Sequence, residues 1–225
     1  MTPLLKKART LLPEILGSLT FRRESGPLDS VDALCHFVST RAAFIAQKTL
    51  YGYLKTRMGT RYPRVFEDDV FVASIDIAKL HVYVACLADL AIFAAWRVRQ
   101  DAPSPLAADD CSALALQCFQ RGLADNAAPA AAIAEFSTDA VLSDFKRRLA
   151  FWDWSDGPQG PDIFSESPAA LVRWAPIAPE LKQLDQEIVE NSIKFKWRDV
   201  RRDFVKRLDA AAVALQADQL SRIPA

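Results

Sequence analysis

Residues 41–83 read RAAFIAQKTLYGYLKTRMGTRYPRVFEDDVFVASIDIAKLHVY, and this stretch decides the fold. Arg41, Lys48 and Lys55 recur every seven residues in a largely apolar segment. Beyond Tyr62, three more polar residues follow at the same spacing: Asp69, Asp76 and Tyr83. Seven residues are nearly two turns of an α-helix, so each set forms a stripe along one helix face.

The two stripes predict an antiparallel helical hairpin that bends at Tyr62. A short connection between two helices makes them antiparallel neighbours. A row of inter-helix ion pairs would fix the register of this hairpin more reliably than it would add stability. Folding at the bend matches the stripes residue by residue: Lys55 with Asp69, Lys48 with Asp76 and Arg41 with Tyr83.

The same residues allow a second interpretation, a polar pocket in the hairpin that admits an anionic ligand. Helical bundles build binding sites from inward-facing side chains of neighbouring helices. Tyr51 and His81 would add hydrogen-bonding groups to such a pocket. The candidate residues for either interpretation, structural ladder or ligand pocket, are Arg41, Lys48, Tyr51, Lys55, Asp69, Asp76 and His81.

Composition favours an all-α protein. The chain has 225 residues, of which 51% are hydrophobic and only seven are glycine. Alternating β-branched runs that would indicate strands are hard to find. Helix start and stop signals predict a single helical bundle of about six to seven helices built around the hairpin. A chain of this length can bury a substantial core in one domain.

Four segments organise the predicted single domain, which spans residues 1–225. The hairpin begins after an N-cap at Asp29 or Ser30, and Gly59 ends its first helix. Pro179 opens a long amphipathic helix at its first turn. The segments are a basic amphipathic N-terminal helix at 1–23, the hairpin at 29–99, an irregular loop at 153–168 and the C-terminal helix at 179–217.

Residues 80–98, LHVYVACLADLAIFAAWRV, are long and apolar enough to resemble a membrane span. His81 and Asp89 lie inside this run, and ionisable groups are costly in a lone span. We therefore expect a core helix buried by protein. With no recognisable secretion signal, the expected location is cytoplasmic, and residues 1–23 offer a contact for an anionic membrane surface.

The chain lacks a recognisable metal or cofactor motif, so none is predicted. Its four cysteines show no zinc-binding spacing and are expected to be buried thiols. His36 and His81 would lie about two helical turns apart in the hairpin, which argues against a shared metal.

Residues 194–207, KFKWRDVRRDFVKR, carry seven basic and two acidic residues. This basic, aromatic pattern is typical of nucleic-acid binding. Trp197 and Phe204, however, lie on the apolar stripe of the C-terminal helix and are expected in the core. The whole chain has 28 basic and 28 acidic residues, so no overall field attracts nucleic acid.

Residues 39–90, STRAAFIAQKTLYGYLKTRMGTRYPRVFEDDVFVASIDIAKLHVYVACLADL, together with residues 173–201 resemble a bacterial family of uncharacterised proteins. Some members carry the label esterase, so the resemblance implies a hydrolase. The sequence has no Gly-x-Ser-x-Gly elbow, however, and its helical pattern lacks the strands that such an elbow needs. Ser143 and Lys146 fit a Ser-x-x-Lys spacing, a match that arises easily by chance.

These observations favour a non-enzymatic adaptor or assembly factor that acts through its surfaces, with a protein partner or a second copy of itself. One alternative is an esterase-like hydrolase or an anionic-ligand binder that uses the polar residues of the hairpin. A further alternative is nucleic-acid binding through the basic C-terminal helix.

Overall fold

The structure, a computed structural model, describes residues 26–220, without the side chains of residues 219–220. This part of the chain forms eight α-helices, which confirms the predicted all-α fold class. The predicted N-terminal helix, residues 1–23, lies outside the described residues.

Short connections join the helices along the chain. Two 3₁₀ turns, Gly59–Arg61 and Arg64–Glu67, connect α1 to α2, and a third, Gly160–Ile163, precedes α6. The helix bounds are α1 Val31–Met58, α2 Asp69–Asp101, α3 Ala108–Asp125, α4 Ala127–Ala131, α5 Thr138–Ala150, α6 Glu166–Trp174, α7 Pro179–Arg207 and α8 Ala210–Leu220.

Helices α1 and α2 form the predicted hairpin. The Ser30 side chain caps α1 by accepting a hydrogen bond from the Ala33 N–H at 3.2 Å. The first helix ends at Met58 because Gly59 takes a positive φ of 50°, a conformation that favours glycine. Asp68 caps the start of α2 with its carboxylate.

The centre of the bundle is α2, which packs against α1, α3, α6 and α8. Within the described residues it is the one helix long and apolar enough to cross a membrane by length and composition. Between Leu80 and Val98, however, most of its side chains are buried by the neighbouring helices. Burial against several neighbouring helices therefore accounts for the apolar side chains of this helix.

The predicted C-terminal helix at 179–217 is instead two helices, α7 and α8. Leu208 adopts an extended backbone conformation and forms a parallel bridge with Leu28. The Leu28 N–H donates to the Arg207 carbonyl at 2.8 Å, and the Asp209 N–H donates to the Leu28 carbonyl at 3.0 Å. The helix breaks because its backbone pairs with a distant segment, which helical periodicity does not reveal.

Candidate functional site

The structure turns the basic stripe of α1 away from α2. Ser39 Oγ lies 3.4 Å from Tyr83 Oη, so the hairpin is close to the predicted register along its axis. Arg41 lies two residues further on, and two residues rotate a helical side chain by about 200°. Arg41 therefore faces α7, where its Nη2 lies 3.1 Å from Asp203 Oδ2.

The predicted ladder of ion pairs between α1 and α2 is not formed. Asp76 pairs instead with Lys79 on its own helix, with 2.8 Å between Nζ and Oδ1. Lys48 Nζ lies 5.1 Å from the centre of the Phe44 ring. Among the ion pairs of residues 26–220, neither Lys48 nor Lys55 is joined to its predicted carboxylate. Two members of the stripe, Arg41 and Lys48, lie on the α7 side of α1 rather than on the α2 side.

Helix α7 supplies the carboxylates that face the basic side of α1. Asp185 accepts a hydrogen bond from Tyr53 Oη at 3.0 Å and forms an ion pair with Arg57. The hydrogen bond from Arg57 lowers the pKa of Asp185, while burial and then Asp185 raise the pKa of Tyr53 to about 12. A cavity of about 650 Å³ lies between α1 and α7, and Lys48 is among its lining residues.

The seven candidate residues from the sequence do not form one site. Arg41 pairs with α7, Lys48 lines the α1–α7 cavity, and Lys55 and Asp69 are exposed. Tyr51 packs against Phe66 near the bend, and burial followed by the charge of Asp76 raises its pKa. Of the seven residues, His81 is the one that lines a groove between α2, α5 and α6.

This groove has a volume of about 810 Å³ and an apolar floor. One wall is a stack of His81 on Trp174, with ring centres 3.5 Å apart and planes within 3° of each other. Burial and then the charge of Arg173 lower the pKa of His81, which favours the neutral imidazole. Small side chains leave the floor open: Val84, Ala85, Ala88, Ala140, Ala169 and Ala170.

Beside the groove, α2 carries a fully buried carboxylate, Asp89, with 0% of its surface exposed. Its Oδ1 accepts from Arg148 Nη2 at 3.1 Å and from the Glu166 N–H at 3.3 Å, and its Oδ2 accepts from the Ser167 N–H at 2.8 Å. Ser165, at the N-cap position of α6, makes no side-chain capping bond. Asp89 therefore caps α6 from another helix, where a negative charge is favoured.

A buried polar network extends from this carboxylate to α7. Ser167 Oγ accepts a hydrogen bond from Trp197 Nε1 at 2.9 Å. Burial raises the pKa of Asp89 to about 6, and Arg148 and the hydrogen bonds from Ser167 oppose this shift. Burial and then Asp89 also raise the pKa of the Cys86 thiol, which keeps it protonated. The network joins α2, α5, α6 and α7 at one point.

Arg148 connects this network to the groove, because it also lines the groove. Its guanidinium carbon lies 5.2 Å from the centre of the Trp152 ring. Its Nη1 is buried and has no hydrogen-bond partner among the described residues. A buried donor without an acceptor costs free energy, so a ligand that supplies an acceptor would be stabilised there.

Comparison with protein-family models, with curated proteins and with solved structures found no match for this chain. Within residues 26–220, no group of three or more His, Cys, Asp or Glu side chains is placed to hold a metal ion. All four cysteines are free and buried, and Cys35 Sγ lies 3.1 Å from Cys118 Sγ.

The basic stretch at 194–207 packs as its apolar stripe predicted. Trp197 and Phe204 lie in the core, at 1% and 0% exposure. Arg198 and Arg202 are exposed and line a shallow cavity of about 540 Å³ beside Trp96. Nucleic-acid binding by this face stays a prediction.

Sequence reasoning treated Asp89 only as a charge inside an apolar run and gave it no partner. The apolar run around Asp89 was a signal for a buried polar contact, because a buried charge needs a partner and hydrogen bonds. Arg148 carries no comparable signal, since it follows Lys146 and Arg147 in a helix with a polar surface. Its role depends on the tertiary structure, which brings Arg148 to Asp89.

Proposed function

We propose that this protein binds an amphipathic small molecule in the groove between α2, α5 and α6. The apolar body of the ligand lies over the alanine-rich floor, and its polar end accepts a hydrogen bond from Arg148. The observation that carries this proposal is the buried, unpartnered Nη1 of Arg148 among the described residues, in a side chain that lines a groove with small apolar residues in its floor.

The dimensions of the groove support a small ligand. Sites for such ligands typically have volumes of about 300–1,000 Å³ and apolar walls with a few polar groups. The volume of about 810 Å³ falls in this range. Phe151, which is 86% exposed, also lines the groove and offers a ring to an apolar ligand.

The chemistry of Arg148 selects the polar end of the ligand. A guanidinium has donors only, so the ligand must present an acceptor. A carboxylate is the strongest partner because its hydrogen bond is charge-assisted. A hydroxyl is a weaker acceptor, and an ammonium group has no acceptor at all. The expected order of affinity at neutral pH is decanoate, then decanol, then decylamine.

Calorimetric titration with these three ligands tests the proposal. Ala140, an exposed residue of the groove, offers a blocking variant, Ala140→Trp, which should abolish binding of all three. The matched control is Ala211→Trp, because Ala211 is exposed on α8 away from the groove. Decanoate binding that survives Ala140→Trp, or an affinity order led by decylamine, would contradict the proposal.

Binding without hydrolysis is the function we propose for this groove. His81, the nearest candidate for a catalytic base, lies against the rings of Trp174 and Phe136. An imidazole stacked flat on an indole is positioned as an apolar wall. We therefore expect no turnover of nitrophenyl decanoate above the background rate. Turnover that disappears in His81→Ala would support the hydrolase alternative instead.

A further inference from the structure

The outer face of α7 carries an unusual concentration of exposed apolar side chains. Of the eight large hydrophobic residues exposed in the described part of the chain, five lie on this helix, so the apolar surface is not scattered. Leu184 is 76% exposed, Ile188 71% and Phe195 55%. The other two are Leu181 and Val205.

These residues follow one heptad frame. Leu181, Ile188 and Phe195 are seven residues apart and occupy a positions, and Leu184 and Val205 occupy d positions of the same frame. Three polar residues complete the stripe. The full set, which we call the α7 seam, is Leu181, Leu184, Ile188, Asn191, Phe195, Arg198, Arg202 and Val205, and every member is exposed. A sustained stripe of a and d positions is the surface that helices use to pair.

The charges beside the seam indicate what covers it. The g positions of the frame are Glu180 and Glu187 in the first half of α7, and Lys194 and Arg201 in the second half. In an antiparallel pair of identical helices, g positions face g positions of the other copy. Glu187 then meets Lys194, and Glu180 meets Arg201, so both contacts are attractive.

A parallel pair of the same helices would be poorly matched, because g positions would then face e positions. Arg201 would lie near Lys206, Lys194 near Asp199 and Glu187 near the uncharged Ser192, while Asp185 is already paired with Arg57 of α1. Arg201 and Lys206 would join like charges, and the contact of Lys194 with Asp199 would be the single attractive one. The charge pattern therefore favours an antiparallel partner with the same sequence.

We propose that two copies of this chain associate through residues 181–198 of the α7 seam as an antiparallel pair, with a two-fold axis beside residues 189–190. In this register Leu184 faces Phe195 of the other copy, and Ile188 faces Asn191 of the other copy. A two-fold interface is self-complementary, so every contact is formed twice.

The first test measures the mass of the full chain by sedimentation over a range of concentrations. The variant Leu184→Glu/Ile188→Glu should weaken dimerisation by about 100-fold or more, because it removes two apolar side chains from each copy. Val70→Glu and Leu215→Glu are matched controls, since Val70 and Leu215 are exposed apolar residues on other helices. A monomer at all concentrations, or a dimer insensitive to the double variant, would overturn the proposal.

Charge reversal tests the register. Glu187→Lys and Lys194→Glu should each weaken the dimer, because each places like charges across the axis. The double variant Glu187→Lys/Lys194→Glu should restore it, since the opposite charges meet again. Loss of folding would not show this pattern of rescue. Failure of the double variant to recover would rule out the antiparallel register.

Disulfide trapping distinguishes the two orientations. The antiparallel pair predicts that Leu181→Cys protein links to Arg198→Cys protein in a mixture. Leu181→Cys alone should not link to itself, since the two positions lie about 25 Å apart along the pair. A self-linked Leu181→Cys dimer would indicate parallel pairing. A monomer that binds anionic vesicles through Leu184 and Ile188 would assign the seam to a membrane and overturn the proposal.

Discussion

Asp89 of α2 and Arg148 of α5 are 59 residues apart in the sequence, yet Asp89 Oδ1 and Arg148 Nη2 lie 3.1 Å apart in the core. The carboxylate also accepts hydrogen bonds from the first turn of α6. One buried side chain thus holds three helices and positions the guanidinium that lines the proposed ligand groove. This contact therefore contributes both to the stability of the protein and to its proposed function.

Removing the carboxylate should destabilise the fold strongly. Asp89→Ala leaves Arg148 without its buried partner and α6 without its cap, and the expected loss in the free energy of unfolding is about 3–5 kcal/mol. Asp89→Asn should cost less, because its amide oxygen still accepts from the α6 backbone. Urea denaturation at neutral pH measures both changes.

The control for this prediction is Asp144→Ala, which removes an exposed ion pair with Arg147. The expected loss there is at most about 1 kcal/mol, since solvent screens such pairs. An equal loss in the free energy of unfolding for Asp89→Ala and Asp144→Ala would show that the buried contact contributes no more to stability than an exposed ion pair.

The pKa of Asp89, raised to about 6 by burial, predicts an unusual dependence of stability on pH. A pKa above the unfolded value means that the folded state binds the proton more tightly. The contribution of Asp89 is therefore fully present below its unfolded pKa of about 4 and is lost as pH rises towards 6. The stability of the wild type relative to Asp89→Asn should fall across this window, by about 3 kcal/mol at most.

Asp185 provides the opposite case, because the hydrogen bond from Arg57 lowers its pKa. Its contribution is present above its unfolded pKa and is lost as pH falls through the lower folded value. Asp185→Asn should therefore remove stability that the wild type keeps at neutral pH. The free energy of unfolding, measured by denaturation between pH 3 and 7, should change with pH in two opposite directions. The Asp89 contribution should fall as the pH rises from about 4 to 6, and the Asp185 contribution should rise with pH in a lower range. Equal slopes would contradict the assignment.

Two glycines in helices should respond to alanine in opposite directions. A Cβ at Gly122 of α3 would lie 2.6 Å from Leu87 Cδ1 and 2.9 Å from Tyr83 Oη. Leu87 is fully buried, so Gly122→Ala should lower the free energy of unfolding by about 1–3 kcal/mol. A Cβ at Gly52 of α1 would meet nothing within 4 Å.

Gly52→Ala should therefore stabilise the protein by up to about 1 kcal/mol, because alanine favours the helix. Thermal and urea denaturation of the two variants measure the sign directly. Stabilisation by both substitutions would show that α2 and α3 do not approach each other as closely as the structure indicates.

Double-mutant cycles should distinguish an observed ion pair of α1 from a predicted one. Arg57 and Asp185 are expected to show a favourable coupling free energy, because their side chains form an ion pair between α1 and α7. Lys48 and Asp76 should show a coupling near zero, since Asp76 pairs with Lys79. Each cycle uses alanine at both positions and compares free energies of unfolding. The reverse result would restore the ladder between α1 and α2.

The sequence alone determined the hairpin, because its signals are local. Ser30 and Gly59 mark the ends of α1 through capping and a positive φ, which depend on the residues themselves. Helical periodicity likewise placed Trp197 and Phe204 in the core. Such features need no knowledge of distant neighbours.

Only the tertiary structure decided which helix faces each charged side chain. In the hairpin, an offset of two residues moved Arg41 from α2 to Asp203 of α7, because a helix turns by about 100° per residue. The break at Leu208 depends on backbone pairing with Leu28. The groove beside Asp89 exists because α6 packs on α2 and α5 packs on α3, although both helices are distant from α2 in the sequence. Local patterns specify a helix and its faces, whereas the packing of the whole bundle selects the neighbour of each face.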